Sequence, residues 1–477
     1  MNLVVNGTFR VEGAPPTPTD YDSKFKKLFE EFCREIGRNA LVGTFDDFHE
    51  SIFNSRTAFL DFQGRVSNFS RCVPNNSDDS IRRGEYRFIL RLDENMFSDV
   101  ELGFQKLVHV LVSDLFEQRG VGELRGQVHI ESVDLGPVTN VFHNKYRTKS
   151  HTRSEIRHQF DLDSDEPLLA FSMKPRVGLT AEEYERFMRE VFEGGFHLVE
   201  MDTRDLGIES CERKQLIERL YRLALNESQS RRRICRFSAN LSGPFTIIEP
   251  MLEKIWLVHQ DCGVNSWVLK IDGNLDGLST IQAIRRWCDD RAISQPIITC
   301  YPVLKYGLAR YLGHDTLYRL LVLSGADIIY PGGRPRFYAD KAIDGGQVGP
   351  SRMHYKSLLY PDDYPLQSVA GGTLIGHVPA KIALLGTDIA FFVGGGLALS
   401  KKGLKQAAIS FCEAVSRSRE LLKQQEWSRV AIEQKFVHLT QVYGDRNVVD
   451  QQFELVNPWD LVDKVDELAI NRPVLVR

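Results

Sequence analysis

The chain has 477 residues, with 60 Lys and Arg against 64 Asp and Glu and a formal net charge of −4. That length excludes a single small domain, and 42% hydrophobic with 26% charged residues excludes wholesale disorder. The near-neutral balance gives no basic surplus for gripping a phosphate backbone, so nucleic acid is not an expected partner. Apolar runs such as Ile382 to Leu385 and Ile389 to Val393 are too short to span a bilayer, so no membrane partner is expected either. Met1 to Pro15 lacks the basic start and apolar run of a signal peptide. The eight cysteines are scattered, without a CxxC pair or zinc-like spacing, which points to a reduced, cytoplasmic chain.

In chain order, Gly13 to Asp20 is rich in Pro and Thr and reads as an irregular N-terminal arm. Phe25, Leu28, Phe29 and Phe32 recur at helical spacing between Asp22 and Ile36. Tyr86 to Leu92 alternates as a half-buried strand, a helix is expected over Val100 to Phe116, and Gln127 to Val133 reads as another strand. Residues 1–160 are therefore expected to form an α+β domain ending in the charged stretch Arg147 to Asp165.

From there the rhythm is regular. Pro167 to Met173 is a short apolar strand, and Thr180-Ala-Glu-Glu183 is a capping-box start for a helix reaching Glu193. Further strands are expected at Phe196 to Met201, Arg233 to Ala239, Trp267 to Ile271, Pro296 to Cys300, Ala326 to Tyr330, Gln367 to Ala370 and Asp388 to Val393. Helical stretches lie between them, the last from Leu404 to Leu421. Strand and helix alternate about eight times over roughly 250 residues, the size of a closed (β/α)8 barrel. Alternation alone does not show closure, and an open doubly wound sheet is the competitor. The barrel is expected over 161–423, with a helical extension over 424–477.

A barrel's reactive side chains project from the C-terminal strand ends. Those positions here are polar: Ser172, Lys174 and Arg176 after the first strand, Glu200, Asp202 and Thr203 after the second, then Asn240, Lys270 with Asp272, and Tyr301 with Lys305. Arg334 and Arg336 follow the sixth strand, and Gly371-Gly372 and Gly394-Gly395 follow the seventh and eighth. Glycine lets backbone N–H groups approach an anion, so these pairs are a candidate phosphate site; the alternative is tight strand-to-helix turns. His197 and His377 are not spaced as a metal pair.

Lys174-Pro-Arg-Val-Gly-Leu-Thr180 resembles the Lys-Pro-Lys-x-Gly-Leu-Ser segment of ribulose-bisphosphate carboxylase large chains. Glu193 to Asp202, Leu323 to Asp327, Val369 to Gly372, His377 to Ala380 and Phe392 to Gly396 resemble further segments of that family in the same order. The resemblance runs from about Tyr86 to Leu421. It implies a TIM barrel preceded by a ferredoxin-like α+β domain, and a homodimer whose active sites are shared between subunits. Asn68 and Asp114 sit roughly where the family lends residues across the dimer.

The departures set the functional expectation. The family's carbamylated lysine falls at Glu200, which has no amine, so no carbamylated lysine is expected. Its neighbouring metal carboxylates fall at Asp202 and Thr203; Glu200 and Asp202 are a candidate Mg²⁺ pair, or else acids paired with Lys174, Arg176 or Lys270. The family's strand-five histidine and arginine fall at Tyr301 and Pro302, a second histidine at Lys305, and the strand-six histidine at Tyr330. The resemblance thus implies a carboxylase-like protein that does not fix carbon, a lyase or isomerase acting through an enolate on an anionic, phosphorylated or carboxylated sugar-derived ketone. Lys174, Arg176, Tyr301 and Lys305 are the candidate catalytic residues, and Gly371, Gly372, Gly394, Gly395, Arg334, Arg336 and Lys270 the candidate substrate-binding ones. The alternatives are a Schiff-base lysine at 270 or 305, a barrel that binds a sugar phosphate or protein without turnover, and a specialised-metabolism enzyme on an unrelated substrate.

Overall fold

Residues 2–12 form a strand that the sequence reading did not single out, and the irregular arm expected at Gly13 to Asp20 lies outside the described residues. In the computed structural model the described residues are 2–12, 69–72, 85–93, 120–121, 124–134 and most of 151–423. Within that last span, 176–177, 202–210, 274, 302–313, 331–365, 371–372, 376–377, 379–380, 383–385 and 401 lie outside the description, as does 424–477. The chain divides into two compact units, residues 1–148 with 303–324 and residues 149–302 with 325–477.

The first unit holds an antiparallel sheet of five strands: β1 (Asn2–Glu12), β2 (Phe69–Cys72), β3 (Glu85–Asp93), β4 (Gly120–Val121) and β5 (Leu124–Asp134), ordered β2-β3-β1-β5-β4. β1 is the central strand, paired with β3 and β5, and its register with β5 shifts between Asn6 and Gly7. The strands expected at 86–92 and 127–133 are present within β3 and β5. The helices expected over 22–36 and 100–116 lie outside the described residues.

The second unit opens with α1 (Arg153–Gln159) inside the charged stretch. A capping box between Thr152 and Glu155 starts it, and Arg153 and Arg157 both reach Asp388. Its Ile156, with Phe160 just beyond, joins the cluster formed by Leu168, Leu198, Val268, Ile297, Ile328, Leu366 and Ala390. Burying each of those two side chains contributes about 1.5–3 kcal/mol. Sequence reading missed this helix, although Thr-x-x-Glu is the same signature that marks residues 180–183.

Eight parallel strands then close into a barrel: β6 (Leu168–Ser172), β7 (Leu198–Glu200), β8 (Arg236–Asn240), β9 (Val268–Asp272), β10 (Ile297–Tyr301), β11 (Ile328–Ile329), β12 (Leu366–Ala370) and β13 (Ile389–Val393). Pairing of β13 with β6 closes the ring and disposes of the open-sheet competitor. Helices α2 (Ala181–Glu193), α3 (Cys211–Arg231), α4 (Phe245–Asp261) and α5 (Leu275–Asp290), the single turn α7 (Gly395–Ala398) and α8 (Leu404–Lys423) alternate with the strands, while α6 (His314–Ser324) belongs to the first unit. Strand alternation sends one parity outward to these helices. Phe237 meets Tyr221 of α3, whose hydroxyl donates to the Val268 carbonyl at 2.7 Å, and Phe391 packs on Phe411 of α8. The other parity fills the barrel, aliphatic below and polar above, and the polar layer holds the chemistry.

Candidate active site

Glu200 ends β7 on the inward parity and is fully buried. Its Oε1 accepts from Lys270 Nζ of β9 at 2.9 Å and from Ser172 Oγ of β6 at 3.3 Å. Its Oε2 accepts from Thr299 Oγ1 of β10 at 2.9 Å and from Tyr330 OH at 2.6 Å. Four donors from around the barrel thus converge on one carboxylate, and both of its oxygens are occupied by them. Lys270 is 2% exposed and lies 5.9 and 5.8 Å from the ring centroids of Tyr301 and Tyr330. Tyr330 stacks at a tilt on Phe392 and meets Tyr301 edge-on.

This arrangement is the ion-pair alternative for Glu200. A magnesium ion needs free carboxylate lone pairs and oxygen neighbours. Glu200 instead has an ammonium against one oxygen and hydroxyl donors on both, so the described residues do not fit a metal there. Among them no cluster of three or more His, Cys, Asp or Glu is placed to hold an ion. Asp202 lies outside the described residues. Lys270, expected to bind substrate, is committed to Glu200, because an uncompensated carboxylate at that depth costs several kcal/mol (~3–5).

At the barrel mouth, Lys174 follows β6 and is half-buried, with its Nζ 3.4 Å from the Met173 carbonyl. Its stem crosses the eighth-strand turn. A Cβ on Gly394 would lie 3.2 Å from Lys174 Cγ, 3.3 Å from Cε and 2.8 Å from the Ser172 carbonyl oxygen. Gly396 is glycine for a similar reason, since a Cβ there would overlap the carbonyl oxygen of Thr373. Gly395 differs: an added Cβ would meet only Leu399 Cδ1, at 3.9 Å. Neighbours explain two glycines of the turn, while the middle one faces open space.

Tyr301 is half-buried at the end of β10. The structure therefore brings Lys174 together with Gly394 and Gly395 at the mouth, and Lys270 with Glu200, Tyr330 and Tyr301 below it. Arg176, Lys305, Arg334, Arg336, Gly371 and Gly372 lie outside the described residues.

Three groups escaped the sequence reading. Thr299 is one, although it sits two residues before Tyr301 on the inward parity. The second is Ser242, whose Oγ donates to Asn240 Oδ1 at 2.5 Å and so joins two strand-end residues that the sequence did single out, Asn240 Nδ2 donating to Asp272 Oδ2 at 3.3 Å. The third is Lys381, a lysine within apolar sequence, which is buried and donates to Thr373 Oγ1. His197 is a buried core histidine: its Nδ1 accepts from the Leu169 amide and its Nε2 lies 3.5 Å from Glu166.

No protein-family model matches the chain. A ribulose bisphosphate carboxylase from Pyrococcus abyssi is 23% identical over 281 residues, covering 57% of this chain and 62% of that protein. One from Pyrococcus furiosus is 23% identical over 346 residues, covering 67% and 77%. The chain spans about six-tenths of the length of the first curated relatives it matches, 62% and 58%. Among solved structures, an octameric ribulose-1,5-bisphosphate carboxylase/oxygenase from Pyrococcus horikoshii in complex with sulfate aligns with a TM-score of 0.66 at 18% identity, covering 88% of each chain. A dimeric archaeal Rubisco from Hyperthermus butylicus gives 0.66 at 16%, covering 91% of this chain and 96% of that one. A rubisco-like protein from Burkholderia fungorum gives 0.59 at 17%, covering 90% and 96%. The chain is thus related in sequence to ribulose bisphosphate carboxylases and shares their fold, as its motif order implied.

Proposed function

We propose that this chain is an enolate-forming lyase or isomerase, carboxylase-like in fold but not carbon-fixing, acting on an anionic, phosphorylated or carboxylated sugar-derived ketone. The observation that carries the reading is the passage of the Lys174 stem over Gly394, with Cγ and Cε filling the space a Cβ there would need, which supports an amine near a glycine turn suited to an anion. Gly394 and Gly395, with Gly371, Gly372, Arg334 and Arg336, hold the substrate's anionic group. Lys174 Nζ takes the proton from the carbon next to the carbonyl, and the electron pair moves to the carbonyl oxygen. That oxyanion is held by the new Lys174 ammonium, the Tyr301 hydroxyl, Arg176 and Lys305. Returning the proton to the former carbonyl carbon, while the hydroxyl proton of the adjacent carbon passes to the oxyanion and leaves a new carbonyl behind, completes an isomerisation. In a decarboxylation the C–CO₂ bond supplies the electron pair, CO₂ leaves, and Lys174 protonates the carbon afterwards.

The Lys270–Glu200 pair is neutral overall and gives the pocket a fixed floor beneath Tyr301. Without an amine at position 200, carbamate formation has no starting point, which supports a non-carboxylating role. No step is assigned to a metal, because the donors around Glu200 do not fit one. The proposal extends to a cytoplasmic homodimer with shared active sites; among the described residues no helix is long and apolar enough to cross a membrane.

The test is exchange of substrate α-protons in D₂O across a panel of phosphorylated and carboxylated ketoses. The expected outcome is exchange that Lys174→Met abolishes. Binding of such ketones with no exchange refutes the enzyme reading and selects a binding-only barrel, which the neutral floor favours as the second reading.

A further inference from the structure

Lys381 has no part in the chemistry above and yet sits next to it. It lies in the helical segment after β12 with Val378 and Ile382, is 4% exposed, and donates from Nζ to Thr373 Oγ1 at 2.5 Å. Thr373 is itself 2% exposed, and its carbonyl oxygen fills the space that a Cβ on Gly396 would need. Lys381, Thr373 and the Gly394–Gly396 turn therefore form one continuous column behind the mouth.

Among the described residues no carboxylate lies within ion-pair distance of Lys381. Among the described residues the charged groups around the column are few. Lys174 crosses Gly394 and carries the same sign. Glu200 is engaged by Lys270 in the barrel floor. His377, in the preceding segment, lies outside the described residues. A buried amine facing a neutral hydroxyl is disfavoured in its charged form, and burial pushes Lys381 down to about 7. An anion arriving near the column favours the ammonium again. The hydrogen bond can serve both states. A neutral amine accepts from the Thr373 hydroxyl, whereas an ammonium donates to it and frees the hydroxyl hydrogen.

We propose that Lys381 is a positioning residue that, through Thr373, couples uptake of one proton to the binding of an oxyanion at the loops after β12 and β13. This rests on the anion-binding reading of those loops given above. The proton comes from solvent and resides on Nζ, the Thr373 hydroxyl turns its hydrogen away from the amine, and no covalent bond other than N–H forms. Carboxylate and phosphate esters belong to the same ligand class, so the coupling adds pH sensitivity to whichever substrate the loops accept.

Inorganic sulfate is the probe, because it stays dianionic from about pH 6 to about pH 8.5 while phosphate does not. The full-length protein is titrated calorimetrically at both pH values in two buffers of different ionisation enthalpy. We expect sulfate to bind about tenfold tighter at the lower pH, the factor that a one-unit rise in the Lys381 pKa produces, with net proton uptake near neutrality. Lys381→Met should lose the uptake and the pH dependence. Lys381→Arg, permanently charged, should keep the tighter affinity at both pH values. Wild-type pH dependence in Lys381→Met, or its loss only in Lys174→Met, overturns the coupling while leaving the anion site standing. No sulfate binding by the wild type at either pH overturns both. Should Lys381→Met fail to fold, Lys381→Arg and Thr373→Val decide: pH dependence retained in either refutes the relay.

Discussion

Replacing Lys270 by Met leaves Glu200 fully buried, with its carboxylate still facing the Ser172, Thr299 and Tyr330 hydroxyls but with its ammonium partner gone. At 2.9 Å and an effective dielectric near 20, the lost attraction is about 6 kcal/mol, an upper bound before desolvation is counted. Single-partner removals from buried pairs cost about 3–5 kcal/mol, and the three hydroxyls place this one at the lower end, about 3 kcal/mol. Glu200→Gln on the Lys270→Met background removes the stranded charge while keeping an acceptor for Thr299 and Tyr330. It should therefore recover about 2 kcal/mol of that loss. Equilibrium urea unfolding followed by tryptophan fluorescence reads all four corners of the cycle; Trp267 and Trp287 both lie in the barrel unit. A Lys270→Met loss below about 1 kcal/mol, or single effects that add to within about 0.5 kcal/mol, would refute the floor as an ion pair.

The turn after β13 makes a paired prediction. Gly396→Ala forces a Cβ onto the Thr373 carbonyl and should cost about 1–3 kcal/mol in a melt, whereas Gly395→Ala should leave stability unchanged and lower sulfate affinity. Equal effects of both on stability would show that the turn is glycine-rich for packing alone. Thr152→Ala removes the capping box of α1 and should cost about 1 kcal/mol by urea unfolding. The Lys381 amine gives a sign-definite pH dependence. Its folded value of about 7 lies below the 10.5 of an unperturbed lysine, so the unfolded chain binds more protons between the two. Stability should rise with pH from about 7 towards 10, and the rise should flatten in Lys381→Met, as measured by denaturation at stepped pH.

The barrel was legible because its strands are short apolar runs separated by capped helices at near-constant spacing. Thr180 to Glu183 announced α2 to the residue, and the eight runs fell on the eight observed strands. Closure was not legible, since the pairing of β13 with β6 joins residues more than two hundred positions apart. β1 was missed although Leu3, Val5, Phe9 and Val11 alternate, because Gly7 interrupts the pattern and the Pro-rich run after it draws attention to a loop. The α1 helix was hidden by its charges. Its apolar contribution is Ile156, with Phe160 just past its end, too few for periodicity to register, and its arginines are spent on Asp388.

The site divides along the same physical line. Lys174 and the glycines stood out because motif order and strand-end position each pointed at them, and both depend only on local sequence. Lys270 was among the ion-pair partners the sequence allowed Glu200, but the full set was not legible, because four donors spread from 172 to 330 meet at one carboxylate only when the barrel closes. That convergence also bears on what reaction the pocket supports. A buried acid from β7 cancelled by a buried amine from β9 leaves the floor without net charge, so anion affinity has to come from groups nearer the mouth. Among the described residues beside the glycine turn are two amines, Lys174 and Lys381, groups that carry charge only with a proton. The half-buried Lys174 passes over Gly394 from the β6 side, and the buried Lys381 holds Thr373, whose carbonyl abuts Gly396, from the β12 side. Substrate charge and proton count should therefore vary together in this protein, and a pocket of that kind suits a reaction whose central event is moving one proton next to an anion.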